Sequence, residues 1–133
     1  MKFIVYSQVT AETISASMGL PEYSYYFVLR DFLPVLRALG EVVVVDRPAE
    51  QVDVIYEAAA VKGEDCLFLS FTPPHKTLTG LRCPTIPVFA WEFYSIPNEA
   101  WLDEPWQDWR YVLERCGRGI THSQLTVNAV CKE

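Results

Sequence analysis

Four short runs of apolar, β-branched and aromatic residues, separated by stretches of helical spacing, constrain this chain more than any other feature. They are Lys2 to Ser7 (KFIVYS), Glu41 to Asp46 (EVVVVD), Cys66 to Phe71 (CLFLSF) and Ile86 to Trp91 (IPVFAW). A strand with one wet face alternates apolar and polar residues, whereas a strand covered on both faces has no reason to. These runs read as near-continuous apolar segments, the mark of a parallel sheet between two layers of helix. Arg118 to His122 supplies a fifth, shorter strand.

The intervening segments fit that reading. From Tyr23 to Leu39, the residues Phe27, Leu29, Phe32, Leu33, Leu36 and Leu39 recur at near-helical spacing, and Gly40 is a suitable stop. Pro34 inside this stretch is expected to kink the helix or to begin a second one. Pro48 opens a helix through about Val61 with Val52, Ile55, Tyr56 and Ala59 on one face. Trp106 to Cys116 is helical by pattern through Trp109, Val112 and Leu113. Ser123 starts a last helix, where its simplest role is that of an N-terminal cap. The expected fold is therefore α/β, a Rossmann-like parallel sheet with helices on both faces, formed by residues 1–133 as a single domain.

Charge and cysteine usage narrow the function classes. The net charge is −6 and the eleven basic residues are scattered, so no basic stripe tracks a phosphate backbone and nucleic acid is not an expected partner. Cys66, Cys83, Cys116 and Cys131 form no CxxC pair, and His75 and His122 lie away from them, so no metal site is expected. The apolar run after Lys2 is too short for a signal-peptide core, and no run approaches the ~18 residues of a membrane span. A cytoplasmic location and no transmembrane segment follow as expectations.

Ligands of open parallel sheets bind beyond the carboxyl ends of the strands, near a topological switch point. The loops after the strands therefore hold the candidate residues. The first loop offers Ser7, Gln8 and Thr10 within SQVTAETISASMG, whose one late glycine does not make a dinucleotide fingerprint. Its hydroxyls suit either a phosphate loop of flavodoxin type or plain solvation. His75 and Lys76 follow a Pro-Pro turn, where they suit contact with a hydroxyl or diphosphate, or a purely structural role. Glu92 follows Val88-Phe89-Ala90-Trp91 and is flanked by Phe93 and Tyr94. A carboxylate so placed suits a general base, and the competing role is an ion pair with Arg82 or Arg110. The nearby rings offer stacking surfaces for sugar faces as well as core packing.

GEDCLFLSFTPPHKT, GLRCPTIPVFAWEFYSIP and DWRYVLERCGRGITHS together resemble the N-terminal domain of a bacterial group of GT-B glycosyltransferases. The likeness covers nearly the whole chain, and PPHKT and CPTIPVFAWEF are its specific parts. It implies one half of a two-domain architecture, cut from a longer chain. This half holds the acceptor, and a C-terminal domain holds most of the nucleotide-sugar donor. It also implies no cofactor, no metal, and docking to that second domain or to a second copy. Glu92 and His75 become catalytic candidates, and Ser7, Gln8, Thr10, Lys76, Phe93, Tyr94 and Ser123 become substrate-binding candidates. Related enzymes often place a histidine just past the fourth strand, where this chain reads Trp91-Glu92-Phe93. The alternatives are a flavodoxin-like domain and a non-catalytic binding domain of the same fold class.

Overall fold

The computed structural model describes residues 1–8, 23–91, 93–101 and 103–132. Five strands pair in parallel: β1 (Lys2–Tyr6), β2 (Glu41–Val44), β3 (Cys66–Ser70), β4 (Thr85–Phe89) and β5 (Ile120–Thr121). Their order across the sheet is β2-β1-β3-β4-β5. Ile4 sits between Val43 of β2 and Phe68 of β3 in register. Among the described residues four α-helices form: α1 (Tyr23–Leu39), α2 (Pro48–Val61), α3 (Trp109–Cys116) and α4 (Gln124–Cys131); α3 starts later than the expected Trp106, after a 3-10 turn at Pro105–Gln107. β3 and β4 are joined without an α-helix, through a 3-10 turn at Pro74–Lys76.

The pleat sends successive side chains to opposite faces, and each face has its own helix. Phe3, Val5, Leu69 and Val88 pack with Tyr25, Leu29 and Leu36 of α1. Ile4 and Phe68 pack instead with Val52 and Ala59 of α2, and Ile55 and Tyr56 close over the margin. An expectation of helices on both faces is thereby met. Asp53 of α2 accepts from the backbone N–H groups of Arg82 and Cys83, which pins the β3–β4 connection to that helix.

The chain leaves β1 for β2 on one side and then returns to place β3 on the other. The switch point therefore lies between β1 and β3. Dropping the third strand from the Rossmann order 3-2-1-4-5-6 and renumbering gives the same 2-1-3-4-5, which is also the flavodoxin order. Both lineages put their ligand crevice at this point.

One expectation needed correction, and of the two outcomes expected of Pro34 one is excluded. The EVVVVD run reads as fully buried, yet Val44 is 58% exposed and Val42 and Val43 are half-buried. Among the described residues β2 is the edge of the sheet, and coverage thins there. Pro34 begins no second helix, because α1 runs unbroken from Tyr23 to Leu39. The proline forfeits one backbone bond, while Leu29 and Leu36 on either side of it stay packed against the sheet.

Candidate ligand cleft at the carboxyl edge of the sheet

Because all the strands are parallel, the loops that follow them leave along one edge. Ser7 and Gln8 leave β1, Phe71 to Pro84 leave β3, Ala90 onward leaves β4, and His122 and Ser123 leave β5. Thr10 and Glu92 lie outside the described residues.

The connection after β3 is held by a chain of buried hydroxyls. Ser70 Oγ lies 2.7 Å from Thr72 Oγ1, which lies 2.9 Å from Thr77 Oγ1, and Thr77 donates to the Pro73 carbonyl at 3.3 Å. All three residues are buried. Hydroxyls satisfied in series replace the backbone ladder that a Pro-Pro turn cannot supply, and they lock its shape. That shape points His75 at α3. The indole Nε1 of Trp109 donates to His75 Nδ1 at 3.2 Å, and the two rings stack at 6.1 Å between centroids. An imidazole that accepts through Nδ1 keeps its proton on Nε2, so this bond selects the tautomer of His75.

Lys76, next in the turn, reaches across the switch point, with its Nζ 3.5 Å from Gln8 Oε1. Ser7, at the end of β1, is 5% exposed, and its Oγ has no partner among the described residues. Ser7, Gln8, His75 and Lys76 thus belong to the two loops that flank the switch point.

A second group forms around the loop after β4. Trp91 stacks obliquely on Trp109 at 4.6 Å and on Phe93 at 5.0 Å, and it donates to the Ser95 carbonyl at 2.6 Å. Phe93 and Tyr94 are 60% and 77% exposed, on a loop tied to the core through Trp91. Ser123 does something simpler. Its Oγ accepts from the Thr126 backbone N–H at 3.2 Å and lies 3.0 Å from Thr126 Oγ1, so it caps α4. Arg82 is ion-paired with Glu57, and Arg110 with Asp108, whose carboxyl it holds below the usual range.

Compared with family models, curated proteins and solved structures, the chain has no significant match in any of the three.

The chemistry of the site therefore rests on its own residues. Burial pushes the Tyr6 hydroxyl up, which keeps it protonated and able to donate. Burial, aided by the neighbouring Cys66 and Asp53, pushes the Cys83 thiol up to about 12, so this pair is packing and not a nucleophile. Among the described residues no group of three His, Cys, Asp or Glu side chains gathers to hold a metal, and no helix is long and apolar enough to cross a membrane. Sequence reasoning placed Trp109 in the helix core and missed that its indole orients His75. The hydroxyls of Thr72 and Thr77 on either side of Pro73-Pro74 were the available signal, since buried hydroxyls beside a turn must find partners.

Proposed function

We propose that this chain is the acceptor-side domain of a glycosyltransferase that moves a sugar from a nucleotide-sugar to an acceptor hydroxyl. The observation that carries the reading is the pair of exposed rings, Phe93 and Tyr94, on the same edge as the Gln8–Lys76 bridge and the His75 turn. Large apolar rings held out into water by a core-anchored loop suit the apolar face of a sugar, with polar groups nearby to fix its hydroxyls. The resemblance carried by PPHKT and CPTIPVFAWEF supports the same class.

Glycosyl transfer passes through an oxocarbenium-like centre while negative charge grows on the departing diphosphate. That charge is stabilised by helix N-termini and cations, which a nucleotide-sugar domain would supply. The present residues would hold and partly dry the acceptor. His75, protonated on Nε2, would donate to an acceptor or diphosphate oxygen. Glu92, which follows Trp91, is proposed to accept the proton or the hydrogen bond of the reacting hydroxyl.

The test uses the full-length protein with a panel of nucleotide-sugars and hydroxyl acceptors. Transfer is expected, and Glu92→Gln is expected to lower turnover by roughly 10²-fold or more with little change in melting temperature. No transfer across the panel, or a Glu92→Gln variant that melts early yet turns over normally, sinks the respective assignment. The strand order also favours a second reading, a flavin domain with its ligand between β1 and β3. Stoichiometric uptake of flavin mononucleotide with a yellow product would favour it over sugar transfer.

A further inference from the structure

A cleft of about 270 Å³ opens beside the switch point, between the ends of β1 and β3 and the start of α2. Its floor is Tyr6, Phe68 and Ser70. Two cations from separate connections line it: Arg47, just before α2, and Lys76, from the β3–β4 connection. In a chain with seventeen acidic residues against eleven basic ones, such a meeting is a local reversal of the overall sign. We propose that this cleft binds the phosphoryl group of a small phosphorylated ligand. The proposal goes beyond the glycosyltransferase reading and stands or falls without it.

The volume sets the class of ligand. Sites for drug-sized molecules run to roughly 300–1,000 Å³, so this one suits a single anionic group with a short stem and not a whole nucleotide. The donors set the charge. An arginine offers two parallel N–H groups matched to a phosphate edge, and a lysine adds a point charge from another direction. Ala49, the first residue of α2 with an N–H, lines the same cleft, while Glu50 and Gln51 already donate to the Arg47 carbonyl. Tyr6 remains protonated, and its hydroxyl is one more donor.

Among the described residues that line the cleft, one group opposes the anion. Glu50 also lines the cleft, with its carboxylate 3.8 Å from Arg47 Nη1. Both side chains are well exposed, and such pairs are weak, so a doubly charged ligand competes successfully for the guanidinium. Lys76 Nζ lies 3.5 Å from Gln8 Oε1, which places its ammonium at the β1 side of the cleft.

Amide chemical shifts of the protein are followed at low salt during titration with inorganic phosphate and, separately, with glycerol 3-phosphate. Saturable shifts are expected at residues 47–51 and 76–78, with the ester bound more tightly than the free ion. Arg47→Gln and Lys76→Gln should each weaken glycerol 3-phosphate by about tenfold. Glu50→Gln should tighten it, and Lys62→Gln, at the far end of α2, should leave it unchanged. Shifts that do not saturate, or an equal loss with Lys62→Gln, overturn the site. Inorganic phosphate binding as tightly as the ester overturns the assignment to a phosphorylated ligand. None of these readouts involves sugar transfer, so a failed transfer assay and a failed phosphoryl site are told apart.

Discussion

Replacing Trp109 with phenylalanine is the sharpest test of how the His75 turn is held. Trp109 is 2% exposed and meets three partners at once: His75 through Nε1, Phe89 edge-on at 5.7 Å and Trp91 at 4.6 Å. Phenylalanine keeps one ring in the core but removes the N–H and part of the volume. The lost hydrogen bond is worth about 0.5–1.5 kcal/mol. The unfilled space and weakened ring contacts add about 1–2 kcal/mol, a fraction of the ~3–5 kcal/mol of truncating such a ring to alanine. The sum is about 2–3 kcal/mol, which for a domain of this size lowers Tm by roughly 6–12 °C. Urea denaturation reads the stability, and long-range proton–nitrogen spectra of His75 read the tautomer. In the native protein Nδ1 carries no proton; in Trp109→Phe the ring is expected to sample both tautomers. Trp101→Phe is the control, because Trp101 is 65% exposed and its replacement should stay within ~0.5 kcal/mol. A Trp109→Phe protein as stable as that control, with an unchanged His75 spectrum, would refute the reasoning.

Two further outcomes follow from the core and its margins. The buried Cys83 thiol stays protonated up to about 12 while an unfolded thiol ionises near ~8.5, so the folded state keeps a proton that the unfolded chain sheds. Stability should hold below about pH 8.5 and fall as pH rises toward 12, and Cys83→Ala should flatten that slope; a slope unchanged by the substitution counts against it. Gly40→Ala should cost about 1–3 kcal/mol, because the new methyl would press on the Met1 carbonyl oxygen, which already accepts from the Glu41 N–H at 3.1 Å. A melting curve matching that of the parent would show that the start of β1 gives way freely.

The strands and helices were legible because their signals are local. CLFLSF needs no partner in order to read as a strand buried on both faces, and Pro48 with Val52, Ile55 and Ala59 needs none to read as one helix face. Ser123 could be assigned as a cap for the same reason, since the bond spans only three residues. The coverage of EVVVVD was not local. Whether Val44 is covered depends on its place in the sheet, and among the described residues no strand lies beyond β2.

The candidate cleft divides along the same line. The amino-acid sequence alone determined that Ser7, Gln8, His75 and Lys76 sit just past strand ends, because parallel strands put every such loop on one edge. Which loops meet was decided by the strand order. β3 pairs with β1 and not with β2, so a residue 68 positions away brings its ammonium to Gln8. The Trp109 bond to His75 spans 34 residues and depends on α3 packing beside the Pro74–Lys76 turn. Arg47 and Lys76 likewise line one cleft only because α2 starts next to the end of β3. Short-range propensity fixes where a side chain leaves its element, but a chain folds through burial of the whole sheet, and that burial alone chooses the neighbours.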